Sequence, residues 1–209
     1  MVAPVWHERK REGVVLACAD FDGTGSSTLL LHGLAGHARE WNETASWLSA
    51  TNHVLAPDQR GDGRSQRRPA DVSPEAFVDD AAMWVRQLSG GSALVIGQSF
   101  GGRTAFLLAA QYPELVTALV VAEASPEANP EARTVVGDWQ RSWPVPFHSR
   151  ESALAFFGGN SLWSGAWAAG VGVRPDGLWP RFGVGEVVSF RGGVVAACGW
   201  NGGGVGGTA

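Results

Sequence analysis

Ala93-Leu94-Val95-Ile96-Gly97-Gln98-Ser99-Phe100-Gly101-Gly102 is the stretch that decides the fold. Its first four residues are apolar without interruption, the pattern of a short strand covered on both faces. Glycines on either side of Ser99 allow a tight turn that strains the serine backbone and lifts its hydroxyl above the carboxyl edge of a sheet. Arg103 to Tyr112, stopped by Pro113, predicts a helix whose amino end aims amide dipoles at that hydroxyl. Working outward, Leu115 to Ala122 reads as a further strand. Upstream, residues 14–19 (VVLACA) and 28–32 (TLLLH) are strands bounded by Asp20, Asp22, Gly23, Gly25 and Gly33. Trp41, Ala45 and Leu48 recur at helical spacing before His53-Val54-Leu55-Ala56-Pro57 returns to extended structure. Ser73 and Pro74 predict a helix start, and Phe77, Ala81, Trp84, Val85 and Leu88 its buried face. Strands alternating with helices imply right-handed crossovers and an α/β, mostly parallel sheet with helices on both faces.

With 209 residues, 44% of them hydrophobic, the chain suits one well-buried domain carrying an insertion. Residues 1–126 are read as the core. From Pro126 onward Pro130, Pro144, Pro146 and several tryptophans break the periodicity, so 127–182 is expected to be a cap-like insertion. Ten of the 27 residues in 183–209 are glycine, and only Glu186 and Arg191 are charged, which predicts a poorly ordered tail. A net charge of −4 offers no field for phosphate backbones, so a nucleic-acid partner is not expected. Cys18 and Cys198 lie far apart without ligand spacing, which indicates neither a metal site nor a disulfide framework. No segment approaches membrane-spanning length, and no cofactor motif is present. The expectation is a cytoplasmic protein acting on a small-molecule substrate.

The chemistry centres on Ser99, a candidate nucleophile for acyl transfer or hydrolysis, since the serine directly follows a buried strand and directly precedes a helix. A second motif, Leu29-Leu30-Leu31-His32-Gly33-Leu34, also follows a strand. Its turn would point the Leu34 N–H at a developing oxyanion, with the Phe100 N–H as second donor. The His32 side chain is read as a brace for that loop, not as a proton carrier.

In this order and spacing, LLLHGLAGHAREW (29–41), APDQRGDGRS (56–65), ALVIGQSFGG (93–102) and VVAEASP (120–126) resemble the single-domain α/β-hydrolase family. The likeness covers residues 14–126, and more loosely the segment to 182. It implies Ser99 as nucleophile and Leu34 and Phe100 as oxyanion-hole donors. The family's loop commonly reads D-x-R-G-x-G-x-S, which Asp58, Arg60, Gly61, Gly63 and Ser65 fit, although the usual histidine is replaced by Asp62. Asp58 and Arg60 are expected to brace that loop. Some subfamilies carry their triad carboxylate at the position of Glu123. Two readings of Glu123 stand: the catalytic acid, or a polar residue opening the cap. A serine at 99 argues against relatives that attack with an aspartate and leaves ester, thioester, lactone or carbon–carbon bond hydrolysis. Trp139 and Trp143 are candidate substrate contacts in the cap, against the plainer reading that they pack it.

The likeness weakens toward the end of the chain. A complete family member adds two strands after the cap and a loop bearing the general-base histidine. The five histidines here are His7, His32, His37, His53 and His148. His7 precedes the sheet, His53 opens a strand at its wrong end, His148 lies in the cap, and His37 could line the pocket rim near the oxyanion turn but is poorly placed for Ser99 by chain order and fold. Two functions follow: a serine hydrolase of esterase or lipase type acting on a small apolar ester, impaired by the missing base, or a non-catalytic ligand-binding module. The tail is expected to reflect truncation or out-of-frame translation. The last strands would then be missing and the strand ending at Ala122 left as an exposed edge.

Overall fold

A computed structural model describes residues 3–124, 130–158, 183–190 and 193–199. The chain divides into two compact units, one of residues 1–126 with 182–209 and one of residues 127–181. In the first, the strands are β1 (Val5–Arg11), β2 (Val14–Asp20), β3 (Ser27–Leu31), β4 (His53–Asp58), β5 (Ala93–Gln98), β6 (Val116–Ala122), β7 (Gly183–Phe190) and β8 (Gly193–Gly199). They form one sheet in the order β1-β2-β4-β3-β5-β6-β8-β7. Strands β4, β3, β5, β6 and β8 run parallel, and antiparallel pairs finish both sides. The helices of this unit are α1 (Asn42–Leu48), α2 (Pro74–Leu88) and α3 (Phe100–Gln111).

The period of two along β3 explains the layering. Leu29 and Leu31 join the cluster containing Val78, Trp84 and Val85 of α2 and Leu108 of α3. Leu30 turns to the other face, among Ala45 and Leu48 of α1 and Val54 and Ala56 of β4. All three leucines are at most 1% exposed, and each contributes about 1.5–3 kcal/mol by leaving water. Helices thus cover both faces, as the uninterrupted apolar runs require. Helix α2 starts as its sequence predicts: the Ser73 side chain accepts from the Ala76 N–H and Pro74 takes the first turn.

Three features differ from the sequence reading. Strand β1 was not anticipated, because VWHERKR lies on the sheet edge with no regular buried face. Glu12 and Gly13, both at positive φ, join it to β2 in a two-residue hairpin. Helix α3 begins at Phe100, three residues before Arg103, because Gly101 and Gly102 serve close packing and do not delay the helix. Finally, the segment read as a poorly ordered tail contains β7 and β8, and β8 pairs with β6 from Leu119↔Val195 to Ala122↔Cys198. The strand ending at Ala122 is therefore not the sheet edge. A ladder needs only backbone N–H and C=O groups, which a glycine- and valine-rich segment still supplies.

The second unit holds α4 (Pro130–Arg141) and α5 (Arg150–Gly158). Trp139 and Trp143 meet edge to face at 4.7 Å, and the Phe147 and Phe156 rings lie 5.6 Å apart. No helix among the described residues is long and apolar enough to cross a membrane.

Candidate active site

Ser99 sits between the carboxyl end of β5 and the amino end of α3 with φ 52° and ψ −115°, a conformation that L-residues rarely adopt. Its N–H donates to the Ala122 carbonyl at 2.8 Å, tying the turn to the end of β6. Close approach explains the flanking glycine: a Cβ on Gly101 would overlap the carbonyl oxygens of Leu31 and His32. The serine turn is thereby pressed onto the end of β3, where the His32-Gly33-Leu34 turn begins. An ideal Cβ on Gly33 would lie 3.6 Å from the Ser99 Cβ, so the two turns are neighbours. Phe100, first residue of α3, carries an amide with no intrahelical acceptor, and its ring packs edge to face on Phe77 at 4.8 Å. Leu34 is 37% exposed at the outer surface of its turn.

His32 is wholly buried. Its Nε2 accepts from the Gln59 backbone N–H at 2.9 Å, which fixes the proton on Nδ1, and Nδ1–H donates to the Gly33 carbonyl at 2.8 Å. The Gln59 side chain returns to the His32 carbonyl at 2.7 Å. Burial lowers the imidazole pKa to about 4, so the ring stays neutral with both nitrogens engaged and braces the turn.

Around that brace the DQRGDGRS loop is held by its side chains. Asp58 accepts from the Ala38 and Arg64 amides, each at 2.7 Å. Arg60 clasps the Asp80 carboxylate of α2 with two bonds of 2.7 Å and donates to the Asp71 carbonyl at 2.8 Å. Next to them His37 and Glu40 cap a short helical turn: His37 Nδ1 accepts from the Arg39 amide, and Glu40 Oε1 accepts from the His37 amide at 3.1 Å. Burial, with Asp62 and Asp58 close by, pushes the Glu40 carboxyl up to about 7. Burial and the same Asp58 raise Asp62 to about 6. Burial also lowers His37 below the usual imidazole range.

Glu123 follows β6 with φ 55°, exposed, and its Oε2 accepts from the Gln98 Nε2 at 2.6 Å. The carboxylate is thus bonded by an amide and not by an imidazole. His7 and His53 instead share Asp20, with Nε2 to carboxylate distances of 3.1 and 2.9 Å. That aspartate ends β2 and pairs with Leu55 near the start of β4, at the opposite end of the parallel strands from Ser99. His148 belongs to the second unit. Among the described residues, no hydrogen bond joins a histidine to Ser99 or Glu123. Trp139 and Trp143 pack edge to face on each other within the second unit. Among the described residues, no group of three or more His, Cys, Asp or Glu side chains could hold a metal ion.

Sequence reasoning missed two groups here. Gln98 carries no pattern of its own, and only its position before Ser99 signals it. Glu40 follows His37 at the spacing of a reciprocal cap, a signal masked because histidine replaces the usual serine or threonine.

A family model described as "alpha/beta hydrolase fold" matches residues 29–152. A 2-(acetamidomethylene)succinate hydrolase of Mesorhizobium japonicum is 32% identical over 110 residues, 53% of this chain and 40% of that protein. An esterase of Mycobacterium tuberculosis is 34% identical over 122 residues, 58% of this chain and 40% of its own length. The chain therefore spans well under two thirds of these relatives. Among solved structures, that of E-2-(acetamidomethylene)succinate hydrolase superposes with a TM-score of 0.68 at 25% identity, over 75% of this chain and 58% of the other.

Proposed function

Because the chain belongs to the α/β-hydrolase fold family, we propose that Ser99 is the nucleophile of an esterase-like serine hydrolase acting on a small apolar ester or related acyl compound. The observation that carries this reading is the Ser99 backbone, at φ 52° between β5 and α3 and against the Gly33 turn. In the reaction Ser99 Oγ adds to the acyl carbon and the carbonyl pair moves onto oxygen, toward the N–H groups of Leu34 and Phe100. Collapse breaks the acyl–oxygen bond, and the leaving alkoxide takes up the proton that the serine gives off. Water then attacks the acyl-serine and releases the acid. Glu123 is assigned as the acid of the site. Cys18, free and buried, fits a cytoplasmic location.

Among the described residues no imidazole is hydrogen-bonded to Ser99, and a serine without a general base stays protonated and weakly nucleophilic. Turnover is expected to fall to the residual roughly 10³–10⁴-fold over water that an oxyanion hole and binding supply. A fluorophosphonate probe, which loses fluoride as the serine oxygen joins phosphorus, tests the site. Wild-type protein is expected to label slowly but above a Ser99→Ala control. Equal labelling of the two removes Ser99 as an activated nucleophile.

The engagement of His7, His32, His37 and His53 elsewhere favours a second reading, a ligand-binding module that retains the site without the chemistry. It predicts saturable thermal stabilisation by short esters and their acids with no product formed.

A further inference from the structure

We propose that Gln98 is a positioning residue that couples the Glu123 carboxylate to the oxyanion turn, an inference that rests on the assignment of Ser99 as nucleophile. Gln98 ends β5, the strand that lies between β3 and β6 in the sheet. Its side-chain amide reaches toward both neighbours. On the β6 side Nε2 donates to Glu123 Oε2 at 2.6 Å. On the β3 side Oε1 fills the space above Gly33 that a Cβ there would occupy. One planar group therefore sets the orientation of the carboxylate, bounds the Gly33-Leu34 turn and flanks Ser99 by direct chain connection.

The choice of residue follows from these contacts. A carboxylate at position 98 would face the Glu123 carboxylate across a hydrogen-bond distance, and like charges there repel. A methionine of similar length offers no N–H. The left-handed backbone at Glu123, φ 55°, is part of the same arrangement, since the chain turns sharply just where the carboxylate meets the amide. Gly33 completes it: its missing side chain is the seat of the Gln98 oxygen. Gly33→Ala then acts through Gln98, because the flexible amide must leave its seat and lose Glu123.

The test is a mutant cycle read in two ways. In intact protein, Gln98→Met, Gln98→Glu, Gln98→Ala, Gly33→Ala and the double variant Gly33→Ala with Gln98→Ala are compared with wild type for fluorophosphonate inactivation, separating the rate constant from the probe affinity. The single variants are expected to lower the rate constant about tenfold to a hundredfold at unchanged affinity, as misplacement of catalytic groups does. The double variant should lose less than the sum of Gly33→Ala and Gln98→Ala alone, because the overlap is gone. Independently of activity, the Gln98 side-chain amide resonance, assigned by its disappearance in Gln98→Met, should shift in both Glu123→Ala and Gly33→Ala. An amide signal indifferent to both changes, or additive variants with wild-type rate constants, overturns the coupling while leaving Ser99 as nucleophile. Wild-type protein that labels no faster than Ser99→Ala removes the nucleophile, and the positioning role with it. Variants that fail to fold are recognised by circular dichroism. The amide shift in Glu123→Ala, an exposed site, then decides.

Discussion

The two ends of the parallel strands hold different sets of polar side chains. At the carboxyl end stand a strained serine, the Gly33-Leu34 turn and a carboxylate bonded to an amide. At the amino end stand two imidazoles bonded to a carboxylate, His7 and His53 on Asp20. The proposed reaction needs an imidazole–carboxylate pair beside Ser99, and the His7 and His53 pairs with Asp20 stand at the far end of the sheet. The presence of histidines in a sequence therefore says little, because what counts is which strand end presents them. Energetically the ends differ too, since the carboxyl end is framed by buried groups and the amino end by half-exposed pairs.

The largest effect expected from that difference is at Arg60, whose side chain is 1% exposed and clasps Asp80. Arg60→Ala leaves a buried carboxylate with one partner less and should destabilise the fold by about 3–5 kcal/mol in denaturant unfolding. A loss below about 1 kcal/mol would show that the loop after β4 is not framed as described.

Next comes the pH response. A carboxyl whose folded pKa is raised holds its proton more tightly in the folded protein, so its stabilisation is complete at low pH and is lost as pH rises through the folded value. Glu40, raised to about 7 by burial, should make stability fall between pH of about 4.5 and 7, by up to about 3 kcal/mol at 1.4 kcal/mol per unit. Asp62, raised to about 6 and more exposed, adds a smaller loss in the same sense. Glu40→Gln, which keeps an acceptor for the His37 amide, should flatten the slope in melting curves taken across that range. An unchanged slope would place the proton uptake elsewhere.

The smallest effects belong to the amino end. His7→Ala and His53→Ala should each cost about 1 kcal/mol or less and leave fluorophosphonate labelling of Ser99 unchanged. Slower labelling in either variant would break the separation of the two ends.

How much of this was legible in the sequence depended on whether a residue's role is local. Ser99 between its strand and helix, Ser73 and Pro74 at the start of α2, and the alternate burial of Leu29, Leu30 and Leu31 all follow from neighbours along the chain. The bracing role of His32 also followed, from its place at the turn. The Gln98–Glu123 bond and the raised carboxyls of Glu40 and Asp62 depend on residues brought together from separate strands and loops, and no local pattern encodes them. Strand β1 escaped because an edge strand has no obligatory apolar face. Strands β7 and β8 escaped because composition speaks to side-chain burial and is silent on backbone pairing.

The backbone at Ser99 bears on the stability of the chain. Holding an L-residue at φ 52° is unfavourable by roughly 1–3 kcal/mol, and glycine in the same place would escape most of that strain. Ser99→Gly, which exchanges this one side chain for hydrogen, is therefore expected to raise the stability of a fold that is only marginally stable to begin with. Position 99 thus sets backbone strain against whatever its hydroxyl contributes, and the melting temperature of Ser99→Gly would read the first of the two on its own.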